Sequence, residues 1–220
     1  MVATDQTVKY FPHVQDPSDL SPRAARTRAA LLSAGFELLA LKPIDAIPVD
    51  EVVAKAGVAK GSFFNHFADK HAFAAAIAAE VRLELEEQVT RANHDIVDPV
   101  ERIANGMWIS ARFAIHNPKR TAVLLRGLGG VTERAHPLNK GVSNDFEAAG
   151  RRGLISPEAR NTGVLYWLGL CQVLMASLLD APDDGDAARV RVREMMTLGL
   201  TGLGVTPADA AKLSDQRWAA

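Results

Sequence analysis

The sequence predicts an all-α protein, and three observations predict it. No stretch of strand length alternates β-branched and polar residues. Apolar residues recur at three- and four-residue spacing through most of the chain. Start and stop signals, Ser or Asp before Pro and Gly afterwards, punctuate it at intervals of helix length. About nine helices are expected on this pattern.

The elements follow in order. Residues 1–20 hold Pro12, Pro17 and scattered acids without a period, which reads as a flexible arm. Ser21-Pro22 starts the first helix, with Leu31, Leu32, Ala34, Gly35, Leu38 and Leu39 at helical spacing, and Pro43 stops it. Pro48 opens a short helix with Asp50 and Glu51 near its positive end; Gly57 ends it by supplying a left-handed turn. A second short helix runs to Phe67. An Asp69 cap then begins a long one, through Ile77, Val81, Leu85 and Val89 to about Asn93. Asp98-Pro99 starts the next, which reaches Asn117-Pro118. Glycines at 127, 129 and 130, the run 150–153 and the run 181–185 separate further helices near 137–149, 157–180 and 186–203.

Composition narrows the function. With 48% hydrophobic residues in 220, the chain can bury a core and an oligomer interface. A net charge of −1 excludes a generally basic nucleic-acid coat, so any DNA affinity must come from a local patch. The lone Cys171 allows no intrachain disulfide and suits a reducing cytoplasm. The N-terminus lacks the apolar core of a secretory signal. The most apolar run, 164–179, is shorter than a bilayer span needs and reads as a buried interface helix, so no membrane is expected.

The segment VDEVVAKAGVAKGSFFNHF, residues 49–67, bears the chemistry. It is a short helix, a turn led by Gly57 and a second short helix with two unlike faces, the arrangement called helix-turn-helix. Lys60, Phe63, Phe64 and Phe67 share one spacing; Ser62, Asn65, His66 and Asp69 share another. One face can anchor in a core while the other offers short hydrogen-bonding groups.

Residues 26–73 resemble the N-terminal domain of TetR-family transcription regulators, through LLSAGFELLALKP and then Ala56-Gly57-Val58, Lys60-Gly61-Ser62, Phe67 and Lys70. The resemblance implies a domain at 21–70 that binds a near-palindromic double-stranded operator. It also implies a 71–220 domain for ligand binding and dimerisation, in a regulator that reads as a repressor. Lys60, Lys70 and Arg28 are then the candidates for phosphate, and Gly61 for close backbone approach. Ser62, Asn65 and His66 are the candidates for base edges. Phe64 stands where the family usually has tyrosine, His66 replaces a further aromatic, and Ala59 and Ile47 replace capping hydroxyls. Weaker phosphate anchoring is expected from those losses.

Further along, Met107, Trp108, Phe113 and His116 share one helix, and Tyr166, Trp167, Cys171 and Met175 another. With Asn144 they are candidates to line a pocket for a small, mostly apolar inducer. Val164, Leu168 and Leu178, with Met195, Leu198, Gly199 and Gly202, are candidates for a homodimer interface built as a four-helix bundle. No catalytic or metal-binding motif appears, so neither an enzyme nor a cofactor is expected. The alternative reading is a TetR-like adaptor for protein partners, without an operator.

Overall fold

The structure, a computed structural model, describes residues 21–127, 137–180 and 185–216. The arm expected at 1–20, Gly129, Gly130 and residues 181–184 lie outside that range. The described residues hold ten α-helices and no strand. They are α1 (Pro22–Leu41), α2 (Val49–Ala56), α3 (Lys60–Phe64), α4 (Lys70–Ala92), α5 (Pro99–His116), α6 (Pro118–Arg126), α7 (Lys140–Arg151), α8 (Pro157–Asp180), α9 (Gly185–Gly202) and α10 (Pro207–Gln216).

The caps behave as their residue types dictate. The Ser21 hydroxyl accepts from the Ala24 N–H, and Asp98 accepts from Val100 and Glu101, each satisfying donors that a helix start leaves open. Pro48 precedes α2 as its cap residue. The tenth helix was not expected. Thr206 and Asp209 cap it reciprocally: the Asp209 N–H donates to the Thr206 hydroxyl at 3.2 Å, and that hydroxyl donates to the Asp209 carboxylate at 2.6 Å. Thr206-Pro207 is the same kind of start signal as Ser21-Pro22, so α10 was legible.

The chain forms two compact units. One comprises residues up to Val81 together with 122–128; the other comprises 82–121 and 129 onward. The division falls inside α4, and both α4 and α6 contribute to each unit.

The first unit closes around an aromatic cluster. Phe63, Phe67 and Phe73 meet edge-on or tilted, with ring centroids 4.8–5.6 Å apart, the separation that aromatic pairs favour. Gly35 on α1 permits this packing: a Cβ there would lie 2.1 Å from the Phe73 ring. Lys42 donates to both Glu51 carboxylate oxygens, at 2.9 and 2.7 Å, tying the end of α1 to α2. Arg126 reaches the Leu39 carbonyl and ties α6 to α1.

In the second unit, α8 is the central helix, packed by α5, α7 and α9. Its length and apolar composition would suit a membrane crossing, yet Val164, Trp167, Leu168, Cys171, Leu174, Met175 and Leu178 are buried in this unit's core. Small residues set the helix separations. A Cβ on Gly163 would lie 2.6 Å from the Phe146 ring, and one on Gly199 would lie 2.8 Å from the Trp167 ring.

Candidate nucleic-acid interface and ligand cavity

The turn between α2 and α3 is set by Gly57, whose φ of 66° and ψ of 33° place it in the left-handed region that glycine adopts without steric cost. The Val58 N–H returns to the Val53 carbonyl at 3.0 Å and closes the end of α2. After the turn α3 is only five residues long, and Asn65 caps its C-terminus. Phe63 is fully buried and Phe67 nearly so, and they fasten α3 to the cluster beneath it.

What α3 turns outward is then fixed. Lys60, Gly61, Phe64 and Asn65 are exposed, and Ser62 and His66 are half-buried beside them. Phe64, which shares its spacing with the core phenylalanines, is 55% exposed and lies on the outer face. Nothing lies within 4 Å of the position a Gly61 Cβ would take, so backbone approach there is open.

The cations of this unit differ in their engagement. Lys60 pairs with Asp50 at 2.8 Å, and both groups are solvated, so the pair is weak and free to exchange for another anion. Lys70 is committed otherwise. Its ammonium donates to the Ile44 and Asp45 carbonyls at 3.4 and 3.2 Å, and lies 3.6 Å from the Asp45 carboxylate. Its place is to fasten the short 3-10 turn at Ile44–Ala46 to the start of α4. Arg28 sits over the Phe67 ring at 5.4 Å and pairs with Glu80 at 3.7 Å. Burial and the Arg28 charge hold the His66 imidazole below the usual histidine range, so it offers one donor and one acceptor near neutral pH. Arg23 and Arg26, at the start of α1, are exposed.

In the second unit, α4, α5, α7 and α8 enclose a cavity of about 430 Å³, within the range of small-molecule sites. Of the residues expected to line a pocket, it brings together Asn144, Trp167, Cys171 and Met175. The others go elsewhere. Met107 and Phe113 are core; Trp108 and His116 border a separate groove between α5 and α9; Tyr166 is exposed beside Gly202.

Beside the apolar residues, two ion pairs stand in the cavity wall. Arg82 meets Glu86 at 2.7 Å, and Arg102 meets Asp145 at 2.6 Å. Burial raises the pKa of both carboxyls, against the pull of their arginine partners. Burial also pushes the Cys171 thiol up to about 12. Arg82 and Glu86 stand at i, i+4 in the sequence, a spacing that pairs charges on a helix. Nothing local showed that the pair turns inward.

The stripe expected at a subunit interface is likewise placed differently. Val164, Leu168 and Leu178 lie in the core of this unit, and Met195 is half-buried. Gly199 lets Trp167 approach, and a Cβ on Gly202 would lie 2.5 Å from the Tyr166 hydroxyl. Both glycines thus serve packing within the chain. Of that set, only Leu198 presents a large apolar side chain outward, at 69% exposed. Other exposed large apolar side chains of these two helices are Leu165, Tyr166 and Val173 on α8 and Val190 on α9.

A glycine-closed turn, a short second helix fastened by buried phenylalanines and a polar outer face define a DNA-reading helix-turn-helix unit. Residues 31–77 match the family model described as bacterial regulatory proteins, tetR family. Residues 31–77 therefore form a helix-turn-helix domain of the tetR type.

The chain's fold is also that of solved structures along most of its length. A tetR family transcription regulator from Shewanella sp. PV-4 superposes with a TM-score of 0.70 at 15% identity, covering 80% of this chain and 97% of that one. RolR in complex with resorcinol gives 0.57 at 20% identity, covering 87% and 94%. A gamma-butyrolactone receptor, an ArpA-like protein, gives 0.55 at 20% identity, covering 90% and 98%. No curated relative matches the chain by sequence.

Proposed function

We propose that the chain is a ligand-released repressor, acting in the cytoplasm as a homodimer on a near-palindromic operator. The observation that supports it most is the outer face of α3, where Gly61, Phe64 and Asn65 are exposed above fully anchored Phe63. Asn65 is suited to an adenine edge, and Lys60 can exchange Asp50 for phosphate. Gly61 admits the backbone close to DNA.

A dimer supplies two such faces, spaced about 34–36 Å apart for successive major-groove turns. Leu165, Tyr166 and Val173 on α8, with Val190 and Leu198 on α9, provide the apolar surface for a helix-on-helix subunit contact. The cavity of the second unit is then the effector site. A ligand acts on DNA affinity only through a difference in its own affinity for the bound and released shapes, about 5.5 kcal/mol for a full switch. Helix α4 takes part in both units and bears Arg82 and Glu86 on the cavity wall, which makes it the element for a ligand to bias. RolR is described with resorcinol, and the ArpA-like protein as a gamma-butyrolactone receptor. Small oxygenated molecules are the corresponding expectation here.

Titrating labelled DNA that flanks the chain's own gene tests the reading. Specific, salt-sensitive binding that Asn65→Ala weakens supports it. Binding of protein partners with no preference for that DNA supports the adaptor instead.

A further inference from the structure

Arg82 is 7% exposed, and its donors are only partly used. Nη2 donates to the Asn139 side-chain oxygen at 3.0 Å and meets Glu86 at 2.7 Å. Nε is buried with no acceptor among the described residues. A guanidinium has five N–H donors in a fixed plane, and a buried one left unmade costs stability. That Nε has no surface open to the cavity, so what the wall presents is the Arg82–Glu86 pair itself, with the Glu86 side chain 24% exposed.

The surrounding charge decides what can use it. Arg82 already has its counter-charge in Glu86, and Arg102 has its own in Asp145. An added carboxylate would meet Glu86 across a partly desolvated space with no uncompensated cation to hold it. A neutral oxygen has no such cost. As a hydroxyl it can donate to the Glu86 carboxylate that Arg82 holds in the wall. Trp167, Leu168 and Met175 supply the apolar wall for a ring-sized body.

We propose that this cavity selects a neutral, ring-sized molecule bearing a hydroxyl, held against the Arg82–Glu86 pair, over the corresponding carboxylate. The inference rests on the reading of this cavity as the effector site and names the chemistry of its ligand. Glu86 is the residue that sets the preference, because it occupies the counter-charge position an anionic ligand would otherwise fill.

The test uses the full-length protein and three matched probes, p-cresol, p-toluate and p-xylene, titrated by calorimetry. p-Cresol is expected to bind with a dissociation constant of about 1 mM or below, accessible to a molecule of this size, and about tenfold or more tighter than either other probe. Glu86→Gln removes the counter-charge, so p-toluate should gain about tenfold while p-cresol weakens. Arg82→Lys retains the charge but loses the planar fork that holds Glu86 and Asn139 in place, and should weaken p-cresol about fivefold or more. That variant decides the matter if Glu86→Gln fails to fold.

Equal or tighter binding of p-toluate or p-xylene to the native protein overturns the proposal. So does p-cresol binding weaker than about 10 mM, an unchanged ratio in Glu86→Gln, or an unchanged p-cresol affinity in Arg82→Lys. Repeating the titrations with operator DNA present separates the two claims. If p-cresol binds as expected but DNA affinity does not move, the effector reading falls and the ligand class stands. If p-toluate displaces DNA and p-cresol does not, the class falls and the effector reading stands.

Discussion

The two units place their charged side chains in opposite ways. On the reading face, Lys60 and Asp50 pair in water, where such a pair is worth about 0–1 kcal/mol and yields readily to a phosphate. In the helical body, Arg82–Glu86 and Arg102–Asp145 stand in a cavity wall, and burial raises both carboxyls. Charge is exchangeable at Lys60 on the reading face and committed in the cavity wall. Substitutions should therefore act on DNA affinity in one place, and on stability and ligand choice in the other.

The largest expected effect comes from the core beneath the reading face. Phe63→Ala removes a fully buried ring from the aromatic cluster and should cost about 3–5 kcal/mol. Calorimetry should show the first unit melting early while the second keeps its own transition. A single unchanged transition would mean the two units are not separate in stability.

Next comes the outer face itself. Asn65→Ala should weaken operator binding by about 1–3 kcal/mol, with little change in melting temperature. Lys70→Met should do the reverse, lowering stability while leaving the salt dependence of DNA binding nearly intact, because its ammonium holds the Ile44 and Asp45 carbonyls. A salt slope that drops by about one on Lys70→Met would reassign it to phosphate.

In the body, Asp145→Asn breaks the pair with Arg102. It should cost about 1–2 kcal/mol, less than a fully buried pair because solvent reaches part of it. Glu86 sharpens the comparison through pH. Burial holds its folded pKa above the usual glutamate value, so the folded state holds the proton more tightly than the unfolded one. That contribution is fully present below the unfolded value and is lost as pH rises through the folded value. Glu86→Gln should remove this part of the stability–pH profile, and an unchanged acid limb in chemical denaturation would contradict it. The smallest effect is at the surface. Phe64→Tyr adds a hydroxyl at a 55% exposed position and should tighten operator binding a few-fold.

What was legible in the sequence tracks how local each feature is. The turn at Gly57, the caps at Ser21 and Asp98 and the anchoring by Phe63 and Phe67 depend on neighbours within a few residues, and spacing revealed them. Phe64 shares that spacing but faces solvent, because α3 ends at the residue itself and Asn65 caps it. In the body the same reasoning could not choose a face, for a physical reason. α8 is apolar nearly all round, so its periodicity could not say whether Val164 and Leu168 or Leu165 and Val173 face the core. The cavity wall joins residues from α4 to α8, more than 80 positions apart, and its charges were invisible to any local pattern. Lys70 is a third case. Its family position suggested phosphate, while the two backbone carbonyls it holds come from some 25 residues earlier.

The most direct test is an anisotropy titration of DNA flanking the chain's own gene, with native protein and Asn65→Ala, at two salt concentrations. The account predicts specific binding by the native protein, weakened about tenfold or more by Asn65→Ala with the salt slope unchanged. Equal affinity of both proteins for that DNA and for a scrambled duplex would contradict it.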